Sequence, residues 1–188
     1  MTPTCDAPLG VEALVSYWAG DLPEQAAALL EAHLFACAAC ADALREIAAL
    51  GDGVATLARQ GQVSGIISRA VMNCLARDGV RVRLYSIAPG QAVPCAVWPD
   101  DDVVVVALRA DLVGVTSVSL SITGGDDRVI HHVDDGAVSP EDGELLYASP
   151  GGLIRQMPSV RVRFTLADND SNGRVLGEYV LEHSASHQ

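Results

Sequence analysis

The segment EAHLFACAAC, residues 31–40, brings one histidine and two cysteines close together in the chain: His33, Cys37 and Cys40. His33 and Cys37 are four residues apart, so they share one face if a helix continues between them. Cys40 follows Cys37 at the C-x-x-C spacing of metal-binding knuckles. Zinc in proteins is held by thiolates and neutral imidazoles in a tetrahedral array. The pattern H-x3-C-x2-C therefore predicts three zinc ligands that join a second helix to a third.

A structural zinc site has four ligands, so one ligand remains to be identified. Cys5, upstream of the first predicted helix, is the best candidate, and Asp6 or a water molecule remain alternatives. Cys74 and Cys95 lie in apolar stretches, and we expect both to be core residues. Core packing is also the competing interpretation of the whole cluster, but three ligands at this spacing with a spare cysteine favour a metal site.

The apolar spacing on both sides of the cluster is helical. It predicts helices at residues 9–19 and 23–35, and a third helix from near residue 37 to about residue 50 or beyond. The Gly-Asp-Gly step at residues 51–53 is expected to interrupt or end that third helix. A fourth helix is predicted at residues 63–76. Because the first three helices are short, we expect a metal or a partner to help complete their core.

The sequence changes character near Gly79, where valine becomes more frequent and apolar residues alternate with polar ones. A period of two is typical of β-strands that bury one face. The predicted strands are VRVRLYSIA (80–88), DVVVVALRA (102–110), VTSVSLSIT (115–123), RVIHHV (128–133), ELLYAS (144–149), SVRVRFTLAD (159–168) and RVLGEYVLEH (174–183). Short strands separated by Gly, Pro and Asp predict an antiparallel sandwich or barrel.

The predicted architecture is therefore α + β in two domains. Residues 1–78 form a four-helix zinc-binding domain, and residues 79–188 form an antiparallel β-sandwich whose sensory role is a hypothesis. The apolar run DDVVVVALRAD, residues 101–111, is expected to be a buried strand rather than part of a membrane helix, because it is short and rich in valine.

The composition narrows the function further. The chain has 188 residues, of which 49% are hydrophobic and 19% charged, as in a globular protein. A formal net charge of −12 disfavours direct binding to nucleic acid and favours a basic protein partner. The amino terminus lacks the basic and apolar regions of a secretory signal, and no stretch approaches a membrane-spanning helix. We therefore expect a soluble, cytoplasmic protein that does not bind a membrane.

The stretch ALVSYWAGDLPEQAAALLEAHLFACAACADAL, residues 13–44, resembles the zinc-binding anti-sigma factor domain. The family's pattern is an aromatic residue in the first helix, a Gly-Asp/Glu-Leu step, an acidic helix and then the ligand triad. The residues that match this pattern in order are Tyr17, Gly20, Asp21, Leu22, His33, Leu34, Cys37 and Cys40. The resemblance covers about residues 5–78 and does not extend into the β region.

The resemblance implies that the helices bind an extracytoplasmic-function (ECF) type sigma factor. They would cover the sigma surfaces that bind core RNA polymerase, and so repress transcription until a signal releases the sigma factor. The family's Zn²⁺ is mainly structural; here the resemblance assigns it to His33, Cys37 and Cys40, with Cys5 as the amino-terminal fourth ligand. Such inhibition is steric, so we expect the protein not to be an enzyme. The predicted helical half has nine acidic and four basic residues, which suits a basic partner.

Redox sensing is a separate hypothesis, because the thiols of some members of this family sense oxidation. A disulfide between Cys5 and either Cys37 or Cys40 would expel zinc and release the sigma factor.

Two other classes of function remain open. One is a small zinc or redox enzyme, in which a catalytic zinc would keep an open coordination position. The other is a β-sandwich binding module whose helical arm mediates oligomerisation. Phosphate-binding glycine loops and the Gly-x-Ser-x-Gly nucleophile elbow are absent from the sequence, so nothing in it requires an enzyme.

Two polar stretches of the β region resemble metal-binding patterns. HHVDD, residues 131–135, combines imidazoles with carboxylates, but consecutive strand residues point to opposite faces. DNDSNG, residues 168–173, resembles the start of a calcium loop, but the twelfth position is Tyr179 instead of glutamate. We predict ordinary strand-end polar residues for the first stretch and a hairpin turn for the second.

Overall fold

A computed structural model describes residues 5, 7–138, 143–171 and 173–185 of the chain. The helices are α1 (Val11–Ala19), α2 (Glu24–Ala36), α3 (Ala38–Arg59), α4 (Arg69–Arg77) and α5 (Gly151–Arg155). The strands are β1 (Gly65–Ile67), β2 (Val82–Ile87), β3 (Ala92–Cys95), β4 (Val103–Arg109), β5 (Ser117–Thr123), β6 (Val129–Ala137), β7 (Glu144–Pro150), β8 (Val160–Asp168) and β9 (Arg174–His183). The amino-terminal region is mainly helical and the strands follow it, so the α + β prediction is confirmed at this level.

The first three helices are separated by two different turns. Gly20 ends α1 in the left-handed conformation, with φ of 78°, which glycine adopts without steric cost. Cys37 lies in extended conformation and ends α2 while it also begins α3, and the two helix axes bend by 114° at this point. No single described helix is long and apolar enough to cross a membrane. Helices α2 and α3 together, as a bent pair, have the length and apolar composition for it.

Helix α3 does not end at the Gly-Asp-Gly step, so that prediction is wrong. The helix continues through residues 51–53 to Arg59. A side chain at Gly51 would overlap the indole ring of Trp18 in α1, so the missing side chain is what allows this approach. Glycine inside a helix costs about 1 kcal/mol relative to alanine, which packing against a large aromatic side chain can offset.

The predicted fourth helix is also corrected, because its first part is a strand. Gly65 has φ of 151°, outside the helical region, and β1 pairs antiparallel with β7 from Gly65 opposite Ala148 to Ile67 opposite Leu146. Helix α4 begins only after Ser68, whose hydroxyl accepts a hydrogen bond from the backbone N–H of Val71. A strand of the predicted helical domain thus belongs to the sheet, and the proposed boundary after residue 78 stays a prediction.

The strands form two sheets with mixed pairing, so the expectation of a purely antiparallel sandwich is wrong. One sheet has the order β1-β7-β4-β2 and the other β3-β9-β8-β5-β6. Most neighbours are antiparallel, but β2 pairs parallel with β4, and β3 pairs parallel with β9. Between β2 and β4 the chain passes through β3, which belongs to the opposite sheet. This long connection allows β4 to run parallel to β2. Strand β3 lies partly in a segment that the sequence indicated as a connection.

Strand β4 is the centre of the β region, as its valine-rich sequence predicted. Val104 and Val106 contribute to the core between the two sheets, where they join side chains such as Leu120 and Phe164. Alternate residues of β4 belong to a second core with side chains from α3 and α4. Six of the seven residues of β4 are therefore buried, because helices cover one face of the strand and a sheet covers the other.

The short helix α5 packs closely on the loop before β4, and this makes a testable prediction. A side chain at Gly151 would overlap the backbone of Asp101, whereas at the next position, Gly152, it would meet only the end of Arg155 at ordinary contact distance. We expect Gly151→Ala to lower the free energy of unfolding by about 1–3 kcal/mol. The matched control Gly152→Ala should be neutral or raise it by up to about 1 kcal/mol, because alanine favours the helix. Urea unfolding measures both, and equal effects would contradict the packing argument.

Candidate metal centre

The structure brings together all four residues that the sequence indicated as zinc ligands. The ligand atoms of Cys5, His33, Cys37 and Cys40 all lie within 4.8 Å of one another. The Nε2 atom of His33 is 3.3 Å from the Sγ atom of Cys40 and 3.6 Å from that of Cys5. The two sulfur atoms of Cys5 and Cys40 are 3.9 Å apart. The alternative ligand Asp6 lies outside the described residues.

Local backbone geometry produces this cluster. His33 lies in the last turn of α2 and Cys40 in the first turn of α3, so the bend at Cys37 brings the two side chains face to face. The backbone N–H of Leu9, just before α1, donates to the sulfur of Cys40 at 3.5 Å. Cys40 is buried, and the other three ligands are half-buried. One cluster therefore joins the chain before α1 to the end of α2 and the start of α3.

The three distances among the ligand atoms of Cys5, His33 and Cys40 fit a tetrahedral zinc ion. With Zn–S bonds of about 2.3 Å and Zn–N bonds of about 2.0–2.1 Å, tetrahedral angles place sulfurs about 3.8 Å apart and a sulfur about 3.5 Å from a nitrogen. The observed sulfur–sulfur separation of 3.9 Å and sulfur–nitrogen separations of 3.3 and 3.6 Å differ from these values by about 0.2 Å or less. The donor set of three thiols and one imidazole is also one that zinc prefers, so the cluster is compatible with metal binding.

The pKa values of the Cys5 and Cys37 thiols are shifted in opposite directions. The backbone N–H of Cys40 donates to the sulfur of Cys37, and with a hydrogen bond from Cys5 it lowers the pKa of Cys37 to about 7. For Cys5, a backbone hydrogen bond from Ala7 favours the thiolate, but hydrogen bonds with the other two thiols and desolvation outweigh it and raise the pKa. A pKa of about 7 leaves the Cys37 thiol substantially ionised near neutral pH, and thiolate is the form that binds metal.

The remaining candidates of the sequence analysis lie away from this cluster. Cys74 and Cys95 are buried in α4 and β3, which confirms that they are core residues. His132 hydrogen-bonds Ser121 and Asp134, and HHVDD forms no metal-ligand group among the described residues. The DNDSNG stretch connects the antiparallel strands β8 and β9, as predicted for a hairpin turn.

An apolar groove follows the helices on the outside of the cluster. We call the helical groove the surface that is lined by Tyr17, Leu22, Leu34, Phe35, Leu44 and Ala48, together with the charged side chains of Glu31, Arg45 and Arg77. Its two adjoining parts have volumes of about 500 and 480 Å³. Phe35, two residues before Cys37, is 91% exposed, which is unusual for so large an apolar side chain. Sequence reasoning missed this residue, because the helical period of α2 alone does not show which apolar positions lack a partner.

Helix α4 is fastened to α1 at the edge of the same groove. Arg77 donates a hydrogen bond of 2.8 Å to the backbone carbonyl of Trp18, and its guanidinium lies 5.7 Å from the centre of the indole ring. Arg77 therefore both lines the groove and joins α4 to α1.

Cys5 is the ligand with the weakest support from sequence, and its role can be measured. Structural zinc sites have apparent binding free energies of about 10–16 kcal/mol, so the loss of one of four ligands should weaken zinc binding by about 100-fold or more. We expect this result for Cys5→Ser, measured by competition with a chromophoric chelator. The control Cys74→Ser changes a buried cysteine outside the cluster and should leave zinc affinity unchanged. Tight zinc binding by Cys5→Ser would show that Cys5 is not the fourth ligand. The redox pairing of Cys5 stays a prediction.

Comparisons with known proteins address the amino-terminal region. Residues 11–41 match the family model described as "Putative zinc-finger". No curated protein matches the chain. One solved structure with a partial likeness is the N-terminal domain of ORF48 from phage TP901-1, which is 8% identical with a TM-score of 0.33, over 55% of this chain and 98% of that chain. The family match and the cluster of Cys5, His33, Cys37 and Cys40 together fit a zinc-binding anti-sigma domain.

Proposed function

We propose that the protein is an anti-sigma factor that sequesters an ECF-type sigma factor. Its helices would cover the sigma surfaces that bind core RNA polymerase, and so repress transcription until a signal releases the sigma factor. The observation that supports this most is the position of the ligand cluster next to an open apolar surface. The cluster joins α2 to α3, and Phe35 projects into solvent from the last turn of α2.

Zinc would be held by Cys5, His33, Cys37 and Cys40, and its contribution would be a structural crosslink. Four protein ligands leave no position for a substrate or a reactive water, and this favours a structural role over the alternative of a zinc enzyme. The crosslink matters most for α2, since Leu30 is its only buried residue. Helices of this length are marginal on their own, so α2 depends on contacts or ligands outside itself.

The helical groove has the chemistry of a protein-binding surface. Phe35 is its most exposed apolar side chain, and outside the groove Leu29 of α2 and Leu50 of α3 are also 72% and 70% exposed. Contiguous exposed apolar surface rimmed by polar residues is typical of interaction sites. Amphipathic helices of a partner bind such grooves through apolar side chains at helical spacing. The excess of acidic residues in this half of the chain adds electrostatic attraction to a partner with a basic surface.

Co-purification with a sigma factor tests the proposal. The zinc-loaded protein is expressed together with an ECF-type sigma factor from the same genome, and the complex is isolated by size exclusion. We expect a stable complex that excludes core RNA polymerase in competition and lowers transcription from a promoter of that sigma factor. If no ECF-type sigma factor of that genome binds the zinc-loaded protein, the proposal is wrong. A self-associated species that forms instead would favour the helical region as an oligomerisation arm.

A further inference from the structure

A cavity of about 160 Å³ lies between the two sheets where α5 meets them. Val106 and Tyr147 line it from the four-stranded sheet, Phe164 and Leu181 from the five-stranded sheet, and Leu153 from α5. Its volume is close to that of the engineered apolar cavity of about 150 Å³ that binds benzene. The cavity is thus large enough for one six-membered ring.

One wall of this cavity contains a buried polar side chain without a partner. His183, the last residue of β9, is only 4% exposed, and neither of its ring nitrogens has a hydrogen-bond partner among the described residues. A buried polar atom without a partner costs about 1–3 kcal/mol, so native proteins rarely keep one without a reason. Tyr147, another polar ring in the lining, differs from His183 because its hydroxyl hydrogen-bonds the hydroxyl of Ser64 at 3.1 Å.

The rest of the lining restricts what His183 can bind. The described residues around the cavity include no carboxylate, lysine or arginine, so a cationic ligand would lack a counter-ion and an anionic one would have only the imidazoles to pair with. The lining is mostly apolar; its polar side chains besides His183 are Ser64, His131, Tyr147 and Ser149, and the hydroxyls of Ser64 and Tyr147 already hydrogen-bond each other. Aromatic rings already meet here: Tyr147 lies 6.3 Å from Phe164 and 5.9 Å from His131 between ring centres. These distances are typical of the edge and tilted contacts that a further ring would extend.

From these contacts we propose that the cavity binds a small neutral aromatic molecule with one hydroxyl group, which hydrogen-bonds His183. A hydroxyl both donates and accepts, so it pairs with the imidazole whichever ring nitrogen carries the proton. The ring of the ligand fills the apolar space between Phe164 and Leu153. This site is independent of the metal centre and of any sigma factor, so it can be tested apart from the proposed function.

Phenol and benzene are the matched probes for this site, because they differ only in the hydroxyl group. With full-length, zinc-loaded protein labelled at its methionine methyl groups, each probe is titrated and followed by NMR. Met157 lines the cavity, whereas Met72 packs in the core on the other side of the four-stranded sheet and serves as the internal control. We expect phenol to shift the Met157 methyl signal alone, with an affinity about threefold to tenfold higher than that of benzene. No shift of Met157 with phenol would overturn the proposal.

The role of His183 is tested by His183→Phe, which keeps a ring but removes both nitrogens. In His183→Phe the ratio of the affinities for phenol and benzene should fall to about one. The control His132→Phe, at an exposed histidine, should keep the wild-type ratio. Should His183→Phe fail to fold, the ring nitrogen signals of His183 in the wild-type protein give the same information. They should shift with phenol and not with benzene. A preference that survives His183→Phe, or ring signals that do not respond to phenol, would overturn the assignment.

Discussion

Replacing His33 and Cys37 by alanine together is expected to abolish both metal binding and sigma-factor binding. Metal content, measured by mass spectrometry of the purified protein, should fall from about one zinc per chain to nearly none, because a two-ligand remnant binds zinc weakly. Affinity for the sigma factor should fall by more than about 100-fold, since the partner would have to supply the ordering free energy that zinc provides.

The structure also indicates where this double variant should lose order. Helix α2 buries only Leu30, and besides the cluster a hydrogen bond from Tyr17 to Glu31 joins it to α1, so without zinc its amide hydrogens should exchange rapidly. The carboxyl-terminal part of α3 should stay protected, because Ala55 and Ala58 pack on the four-stranded sheet. Hydrogen exchange measures these two regions separately. Loss of amide protection in α2, with the carboxyl-terminal part of α3 unchanged, would support the role of zinc as a crosslink.

The control for this experiment is His132→Ala/Cys74→Ala, which removes the same two residue types outside the cluster. It should keep one zinc per chain, the exchange protection of α2 and the affinity for the sigma factor. If His33→Ala/Cys37→Ala retains metal and binds the sigma factor as the wild type does, the cluster is not the zinc site that we propose.

Local spacing was enough to predict the centre of the candidate site. His33, Cys37 and Cys40 lie within a single helix–bend–helix segment, so their approach depends on few backbone angles. Cys5 is different, because it meets His33 across a separation of 28 residues that no periodic pattern describes. His183 could not be predicted from the sequence either. Its lack of a hydrogen-bond partner depends on all the elements that pack around it, and no local pattern indicates it.

Among the strands, too, features that depend on local sequence could be predicted, and features that depend on distant parts of the chain could not. The valine run of β4 predicts a buried strand, since its apolar residues occupy both faces. The three residues of β1 carry no such signal, and they form a strand because the edge of β7 is available to them. The parallel pairs of β2 with β4 and of β3 with β9 also depend on how the chain passes between sheets. Alternation within a strand carries no information about the direction of its neighbours.

Phe35 is expected to be a main contact of the sigma factor, and this is the sharpest test of the helical groove. The side chain is 91% exposed, so Phe35→Ala should change the free energy of unfolding by no more than about 0.5 kcal/mol and leave zinc bound. In a complex the ring would be buried at the centre of an apolar interface, where truncation typically costs 2 kcal/mol or more, or about 30-fold in affinity.

The comparison for Phe35→Ala is Val113→Ala, which truncates an 80% exposed apolar side chain between β4 and β5, outside the groove. Calorimetric titration with the purified sigma factor should show the loss of affinity for Phe35→Ala and none for Val113→Ala. If both variants bind the sigma factor as tightly as the wild type does, the partner does not bind over the groove. Equal losses would indicate a general effect of reduced apolar surface. A loss for Phe35→Ala alone, with zinc content and unfolding free energy unchanged, separates binding from folding, which the metal-ligand variants cannot do because they change both at once.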